Sequence, residues 1–390
     1  MSSTIAVSEY ASDSFSKADT RAYDDLPIFA SNYYSREASY IDIACDKLHR
    51  ACDGLAFPAQ RRDTIVAFLR KLGTPWGDAV ASAPQHFSNV SVEGMPFELS
   101  LAWSNGRGNE LRMSFEVLHS PHSLSNNLEA ARRFVRELPS IPELARDLSI
   151  ENYLLIEDLV TAPDPTDFIT PMGQGVAWLS DRPNPVMKTY LNLNIAGFES
   201  GPERTKEAMT RLGAGPAWQS LCSYLTSLGV SVVPLFLALD LAHSDHPRLK
   251  IYLPHTGVDA GMIDKQAEIA QTHVRGKFEE ALLEITGHTT PDWRKVPVTC
   301  YTLVPGEYHP VAATLYVPLN PNIENDAIAQ ERVCAFSRSQ GVDPSPYESL
   351  LKAISDQPLS QLSTHNFVAY RPGKDPRFSV YLAPGVYKRS

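Results

Sequence analysis

The sequence predicts an α+β architecture: ten antiparallel strands closed around a lumen, with an outer ring of helices. Apolar periodicity switches between helical and strand spacing in the order helix, strand, strand, helix, and that order recurs about five times. Two successive strands joined by a short turn pair antiparallel, unlike the strands of an alternating βα pattern. Tyrosines also sit inside similar β-branched and leucine-rich runs at positions 190, 252, 316 and 381, so that successive ones lie 62, 64 and 65 residues apart. A near-fixed period of this kind marks a repeated structural unit. Finally, Arg248-Leu249-Lys250-Ile251-Tyr252-Leu253-Pro254 alternates, with Arg248, Lys250 and Tyr252 on one face and Leu249, Ile251 and Leu253 on the other. One such segment would suit an exposed edge strand. Repeated in Met187-Lys188-Thr189-Tyr190-Leu191, Ala313 to Pro318 and Ser379 to Pro384, it suits the inner wall of a barrel wide enough to hold a ligand.

Composition narrows the setting. A chain of 390 residues, 43% of them hydrophobic, can bury one large core or two ordinary ones. Its net charge of −10 disfavours a nucleic-acid partner, which calls for a basic surface. Five cysteines (Cys45, Cys52, Cys222, Cys300 and Cys334) form no C-x-x-C pair, and the start of the chain has no basic-then-apolar leader. The expectation is a reduced, cytoplasmic protein, monomer or homodimer, whose partners are small molecules. No apolar run approaches the roughly 18 to 20 residues that cross a bilayer, so no membrane partner is expected.

Taken in order, residues 1–35 are rich in Ser, Asp and Ala without a sustained period and read as a partly ordered lead-in to a single barrel domain over 36–390. Ile43, Leu48, Leu55, Ile65, Phe68 and Leu69 mark two amphipathic helices interrupted near Gly54 and Pro58. Strands at 97–103 and 111–116 flank the hairpin loop 104–108. Phe97, Leu99, Leu101 and Trp103 share one face of the first, which leaves Glu98 on the other with Ser100 and Ala102. Leu128, Ala131, Phe134, Val135 and Leu138 stripe a helix within 125–149. Strands follow at 176–179 and, after a turn at 182–185, at 186–194. A helix over 203–228 ends at Gly229, ahead of strands 231–241 and 248–253. A helix over 258–286 precedes strands 298–304 and 311–319, and helices at 324–338 and 345–362 precede strands 365–371 and 377–382.

Inside such a barrel Arg112, Lys188, Arg248 and Lys250 would share a partly enclosed chamber, where like charges without a partner are costly. They ask for an anion. Neither a complete G-x-G-x-x-G nor a G-x-x-x-x-G-K-[ST] loop is present to cradle a phosphate. Four cations interleaved with tyrosines suit a diphosphate, and tyrosine faces can also shield an electron-poor carbon. A diphosphate ester that ionises to an allylic cation uses both properties. Metal-dependent ionisation through a D-D-x-x-D cluster does not fit, because Ile28 stands three residues after Asp25 in the Asp24-Asp25 pair.

R-x-K-x-Y at 248–252, K-x-Y at 188–190, Leu-Tyr-Val-Pro around Tyr316, Pro-Phe-Glu at 96–98 and Leu-Arg-Met-Ser-Phe-Glu at 111–116 together resemble the aromatic prenyltransferases of the dimethylallyltryptophan synthase type. The resemblance spans about residues 40–385. It implies the αββα (ABBA) barrel and transfer of a dimethylallyl or geranyl group from its diphosphate to an indole carbon of tryptophan or a tryptophan derivative. It also implies that no metal or other cofactor is required and that the prenyl diphosphate is a substrate. By resemblance, Glu98 is the acid that bonds the indole N–H and helps remove the proton. Arg112, Lys188, Arg248 and Lys250 form the diphosphate clamp, and Tyr190, Tyr252, Tyr316 and Tyr381 the tyrosine shield, with Tyr370 and Tyr387 as rivals to Tyr381.

Two departures bear on the acceptor. Members that take free tryptophan can carry a lysine about a dozen residues before the K-x-Y lysine, where this chain has Met172-Gly173-Gln174-Gly175, and some use an arginine upstream of R-x-K-x-Y, where Pro234-Leu235-Phe236-Leu237-Ala238 offers no basic residue. Gln174 and Thr314 are kept as candidate acceptor or proton-path residues. The missing clasp leans the expectation slightly toward a neutral derivative, such as an indole lactam or a cyclic dipeptide, and the chain's length toward bacterial members. Two alternatives stand beside this reading: a non-catalytic barrel that binds an amphipathic or diphosphate ligand, and a phenol or naphthalene prenyltransferase of the same barrel. His119-x-x-His122 and His243-x-x-His246 have ligand-like spacing but no third ligand, and are read as loop histidines.

Overall fold

The computed structural model describes residues 26–162, 170–180, 182, 184–244 and 247–388. Most of the expected lead-in, with Asp24-Asp25, lies outside them, as do His246 and Pro183. After a short strand β1 (Ile28–Phe29), ten strands close a barrel: β2 (Phe97–Ser104), β3 (Arg107–Glu116), β4 (Met172–Leu179), β5 (Val186–Leu191), β6 (Phe236–Asp240), β7 (Leu249–Pro254), β8 (Val298–Leu303), β9 (Ala312–Pro318), β10 (His365–Arg371) and β11 (Arg377–Leu382). Each pairs antiparallel with its neighbours in the chain, and β11 returns to β2 to complete the ring. A last strand, β12 (Tyr387–Lys388), pairs with β1 outside the barrel.

Strand alternation sorts the side chains as expected. Phe97, Leu99, Leu101 and Trp103 are buried against the helical layer, where Trp103 stacks between Tyr347 and Phe378 at centroid distances of 5.6 and 5.5 Å. Phe115 stacks on Trp76 at 4.9 Å. Each large apolar side chain so buried stabilises the fold by about 1.5 to 3 kcal/mol. Helices α1 (Tyr40–Gly54) and α2 (Ala59–Gly77) break where Gly54 and Pro58 required. Ser39 caps α1 through a reciprocal box with Asp42, an arrangement worth about 1 kcal/mol.

The differences from expectation have local causes. The hairpin loop shrinks to the two residues Asn105-Gly106, because Ser104 already pairs with Arg107; Asn-Gly is the strongest short hairpin signal. Helix α3 (Leu124–Glu137) stops at Pro139, which cannot donate a helical hydrogen bond. The helix expected over 203–228 divides into Gly201–Arg211 and Gly215–Ser227 at Gly213 (φ 73°), and the one over 258–286 into Ala260–Ala267 and Lys277–Thr286, with Gly276 (φ 80°) between. β6 is shorter than 231–241 because Pro234 has no N–H for the ladder. β4 starts at Met172, earlier than expected, because Gly173 and Gly175 belong to it despite their poor strand propensity. A Cβ on Gly175 would come within 3.2 Å of the Tyr190 ring, so these glycines make room for an aromatic side chain across the sheet.

Candidate active site

The cross-strand register gathers the expected residues on the inner wall. Glu98 lies opposite Ser114, Ser100 opposite Arg112, Lys188 opposite Asp240 and Gly175, and Tyr252 opposite Cys300. Residues directly opposite one another project to the same face. The lumen is consequently layered along its axis, with ions at one end, a band of tyrosines across the middle, and Glu98 in a 270 Å³ cavity at the other end.

At the ionic end the cations are already partnered, contrary to the expectation of like charges without a counterion. Glu110 accepts from Arg112 Nε at 2.7 Å and from Arg377 at 2.6 Å. Asp240 accepts from Lys188 at 2.9 Å and from Arg248 at 2.7 Å. Burial opposes ionisation of both acids, yet Arg112, Lys188 and Arg377 hold Glu110 well below the usual carboxylate range, and Lys188, Lys250 and Arg248 do the same to Asp240. Lys250 makes no ion pair among the described residues; the neighbouring Lys188 charge, and then burial, pull it down to about 8. Arg248 sits at the rim with its side chain 53% exposed, rather than inside the chamber. Arg371 and Arg377, paired in register on the same inner face, bring two further cations that motif reasoning missed. Five cations inside the chamber and Arg248 at its rim, against Glu110 and Asp240, leave this end of the lumen strongly positive.

The four tyrosines form a continuous band. Centroids of Tyr190 and Tyr252 lie 6.4 Å apart, Tyr252 and Tyr316 5.5 Å, and Tyr316 and Tyr381 5.6 Å, with the last two hydroxyls 3.1 Å apart. Burial raises the pKa of every phenol in it, so all stay neutral. Phe367 extends the band, 6.4 Å from Tyr316. The rivals of Tyr381 lie elsewhere: Tyr370 faces the helices and bonds Gln340 at 2.9 Å, and Tyr387 sits in the outer sheet bonded to Tyr40 and the Ala81 carbonyl. Cys300 lies in the band's level of the lumen, its thiol pushed up to about 11 chiefly by burial.

Glu98 is 7% exposed, and burial pushes its pKa up to about 7 against the pull of an Asn366 hydrogen bond and the Lys295 charge. Leu235 and Phe236 line the same cavity, as the apolar stretch at 234–238 suggested, but Lys295 brings a cation there from a different segment. Thr314 shares the inner face with Tyr316, level with Cys300 and Tyr252, and so stands nearer the donor half than the acceptor half. Gln174 borders the same cavity as Glu98; strand alternation turns its side chain to the face of Phe115 and Thr189, with which it pairs, and neither of its amide atoms has a hydrogen-bond partner among the described residues. Gly173 and Gly175 flank it on the inner face.

Among the described residues no group of three or more His, Cys, Asp and Glu side chains is arranged to hold a metal ion. His122 instead stacks on His86 at 4.1 Å, and His86 bonds Glu116 at 3.1 Å. No helix of the described residues is long and apolar enough to cross a membrane.

The comparisons with known proteins agree with this fold. The model of the tryptophan dimethylallyltransferase family matches residues 57–349. The fold is similar to 6-dimethylallyltryptophan synthase from Micromonospora olivasterospora, solved in complex with DMASPP and Trp, at 27% identity and a TM-score of 0.82 over 90% of this chain and 99% of that one. It is similar to the prenyltransferase PriB, solved with L-tryptophan and dimethylallyl thiolodiphosphate, at 26% identity and a TM-score of 0.79 over 90% and 98%. The likeness to 5-dimethylallyltryptophan synthase from Streptomyces coelicolor, at 22% identity and a TM-score of 0.79 over 90% and 99%, is one of fold.

Proposed function

Because the chain belongs to the tryptophan dimethylallyltransferase family, we propose that it transfers a dimethylallyl group from its diphosphate to a ring carbon of an indole, tryptophan or a tryptophan derivative, with the lumen residues in the following roles. Arg112, Lys188, Arg248 and Lys250, joined by Arg371 and Arg377, bind the diphosphate. The allylic C–O bond breaks, its electron pair leaving with the diphosphate, and the positive chamber stabilises that developing charge. The allylic cation is left between tyrosine faces, which attract it and exclude water. An indole carbon then supplies the electron pair of the new C–C bond, and the resulting arenium ion loses the proton from that carbon. Glu98 accepts a hydrogen bond from the indole N–H and offsets the positive charge spreading into the ring.

The single observation that carries this reading is the layering of the lumen: cation-rich end, aromatic band and one buried carboxylate along one axis. The non-catalytic barrel has no use for the last of these, and a phenol or naphthalene has no N–H for it to hold. The relatives solved with Trp and a dimethylallyl diphosphate analogue support the substrate classes. We read residues 36–390 as one catalytic domain, needing no metal, and the unpaired cysteines as a mark of the reducing cytoplasm. The test is a panel of free tryptophan, indole lactams and cyclic dipeptides, each with dimethylallyl and geranyl diphosphate, read by mass spectrometry and by NMR of the product. C-alkylation of at least one indole is expected; diphosphate hydrolysis with no alkylated indole would overturn the reading.

A further inference from the structure

Glu98 is held by a partner that strand alternation alone would not deliver together with its neighbour. In β10, His365 faces the helices, bonded to Asp326 at 2.8 Å and to Tyr347 at 2.6 Å. The register slips between His365 and Phe367, so the strand carries one extra residue there, and both Asn366 and Phe367 reach the lumen. Such bulges re-aim side chains. Asn366 Nδ2 donates to Glu98 Oε2 at 2.9 Å, and Asn366 Oδ1 accepts from Lys295 Nζ at 3.1 Å. The lysine lies over the Phe367 ring, 4.3 Å from its centroid. Its backbone is fixed as well: Asn322 Oδ1 accepts from the Lys295 N–H at 3.3 Å, and Asn322 Nδ2 donates to the Lys295 carbonyl at 2.7 Å.

Ammonium, amide and carboxylate thus stand in series, and the amide can point only one way. Flipped, it would set its NH₂ against the ammonium and its oxygen against the carboxylate, losing both bonds. Resting on the functional reading above, we propose that Lys295 and Asn366 are a positioning pair that keeps Glu98 ionised and turned, with Oε2 engaged and Oε1 left for the acceptor N–H. The pair makes the cavity select indoles with a free N–H. The groups bearing on Glu98 are few: Asn366 and Tyr381 from the C-terminal hairpin, and Lys295 from the segment before β8. Among them Lys295 supplies the positive charge.

The test is kcat/KM against pH for the wild type, Lys295→Met, Lys295→Arg and Asn366→Leu, using dimethylallyl diphosphate with the best indole and with an indole lacking a carboxylate. In Lys295→Met the acid limb is expected to move up by about one pH unit, a loss of about tenfold at pH 6.5 that is largely recovered at pH 9. Lys295→Arg should keep the wild-type limb. Asn366→Leu should move it in the same direction with the lysine intact, which keeps the proposal testable if Lys295→Met does not fold. KM for the diphosphate should not change. An unmoved acid limb overturns the proposal, and so does a loss confined to acceptors bearing a carboxylate, which would make Lys295 a substrate contact. A wild type that alkylates no indole sinks the functional reading instead, and the two failures are distinct.

Discussion

Replacing Glu98 by Gln is expected to stabilise the fold and slow the enzyme at once. Burial lifts the carboxyl from 4.5 to about 7, so above pH 7 every folded molecule holds an ion that water would solvate better. At about 1.4 kcal/mol per tenfold change in dissociation constant, that rise costs the folded state about 3 kcal/mol. Below pH 4.5 the group is protonated in folded and unfolded chains alike and costs nothing. Between 4.5 and 7 the unfolded chain gives up its proton first, so stability falls as pH rises; above 7 the full cost is present. Gln keeps the shape and an acceptor for the Asn366 amide but carries no charge. Its melting temperature should match the wild type near pH 4 and exceed it by about 3 to 4 °C at pH 8.5 for a chain of this length. Turnover should fall about 10²-fold or more, because a neutral amide stabilises the arenium ion less and turns a donor toward the N–H. Calorimetry across pH and single-turnover alkylation read the two effects separately. A variant no more stable at pH 8.5 refutes the buried-charge account, and turnover within threefold of wild type removes Glu98 from the chemistry.

Turnover should persist in EDTA, since six cations line the diphosphate end; complete loss on chelation, restored by Mg²⁺, would argue against the clamp. Lys250→Met should raise KM for dimethylallyl diphosphate by about tenfold or more while the acceptor KM holds, because Lys250, unlike Arg112, Lys188, Arg248 and Arg377, makes no ion pair with a carboxylate among the described residues; steady-state kinetics with each substrate varied decides it. Trp103→Ala should cost about 3 to 5 kcal/mol in denaturant unfolding, as it empties the space between Tyr347 and Phe378, and a loss under 1 kcal/mol would show that the helical layer closes over the gap.

The barrel was legible in the sequence because alternation at 97–103 and 248–253 and the spaced tyrosines report directly on which side chain faces inward. The roles of clamp, shield and acid came through resemblance, and the register then gathered their residues along one lumen. The acids of the clamp were in principle readable. Glu110 stands two residues before Arg112, hence on its face, and Asp240 lies in a strand whose partner carries Lys188. Reading them required pairing strands, which no single segment specifies. Gln174 comes from its place before the K-x-Y lysine, not from strand phase, because the expected strand begins only at Val176 and gives the segment 172–175 no face. Asn366 and Lys295 could not be found by periodicity: one depends on a bulge and the other on a segment outside any regular element.

Closing the ring by β11 on β2 has a temporal consequence. Glu98 and the amide that grips it are 268 residues apart, and Tyr381 belongs to the same late hairpin. During synthesis from the N-terminus, the four hairpins from β2 to β9 can form before the fifth exists, leaving β2 and β9 as open edges that invite pairing with other chains. The last hairpin seals both edges and, in the same event, completes the aromatic band and delivers the partner of the acid. A ribosome-bound or truncated chain therefore holds only four of the six clamp cations and no finished acceptor pocket, because Arg371 and Arg377 come with the last hairpin, so appearance of alkylation in a refolding experiment times the final closure rather than the early hairpins.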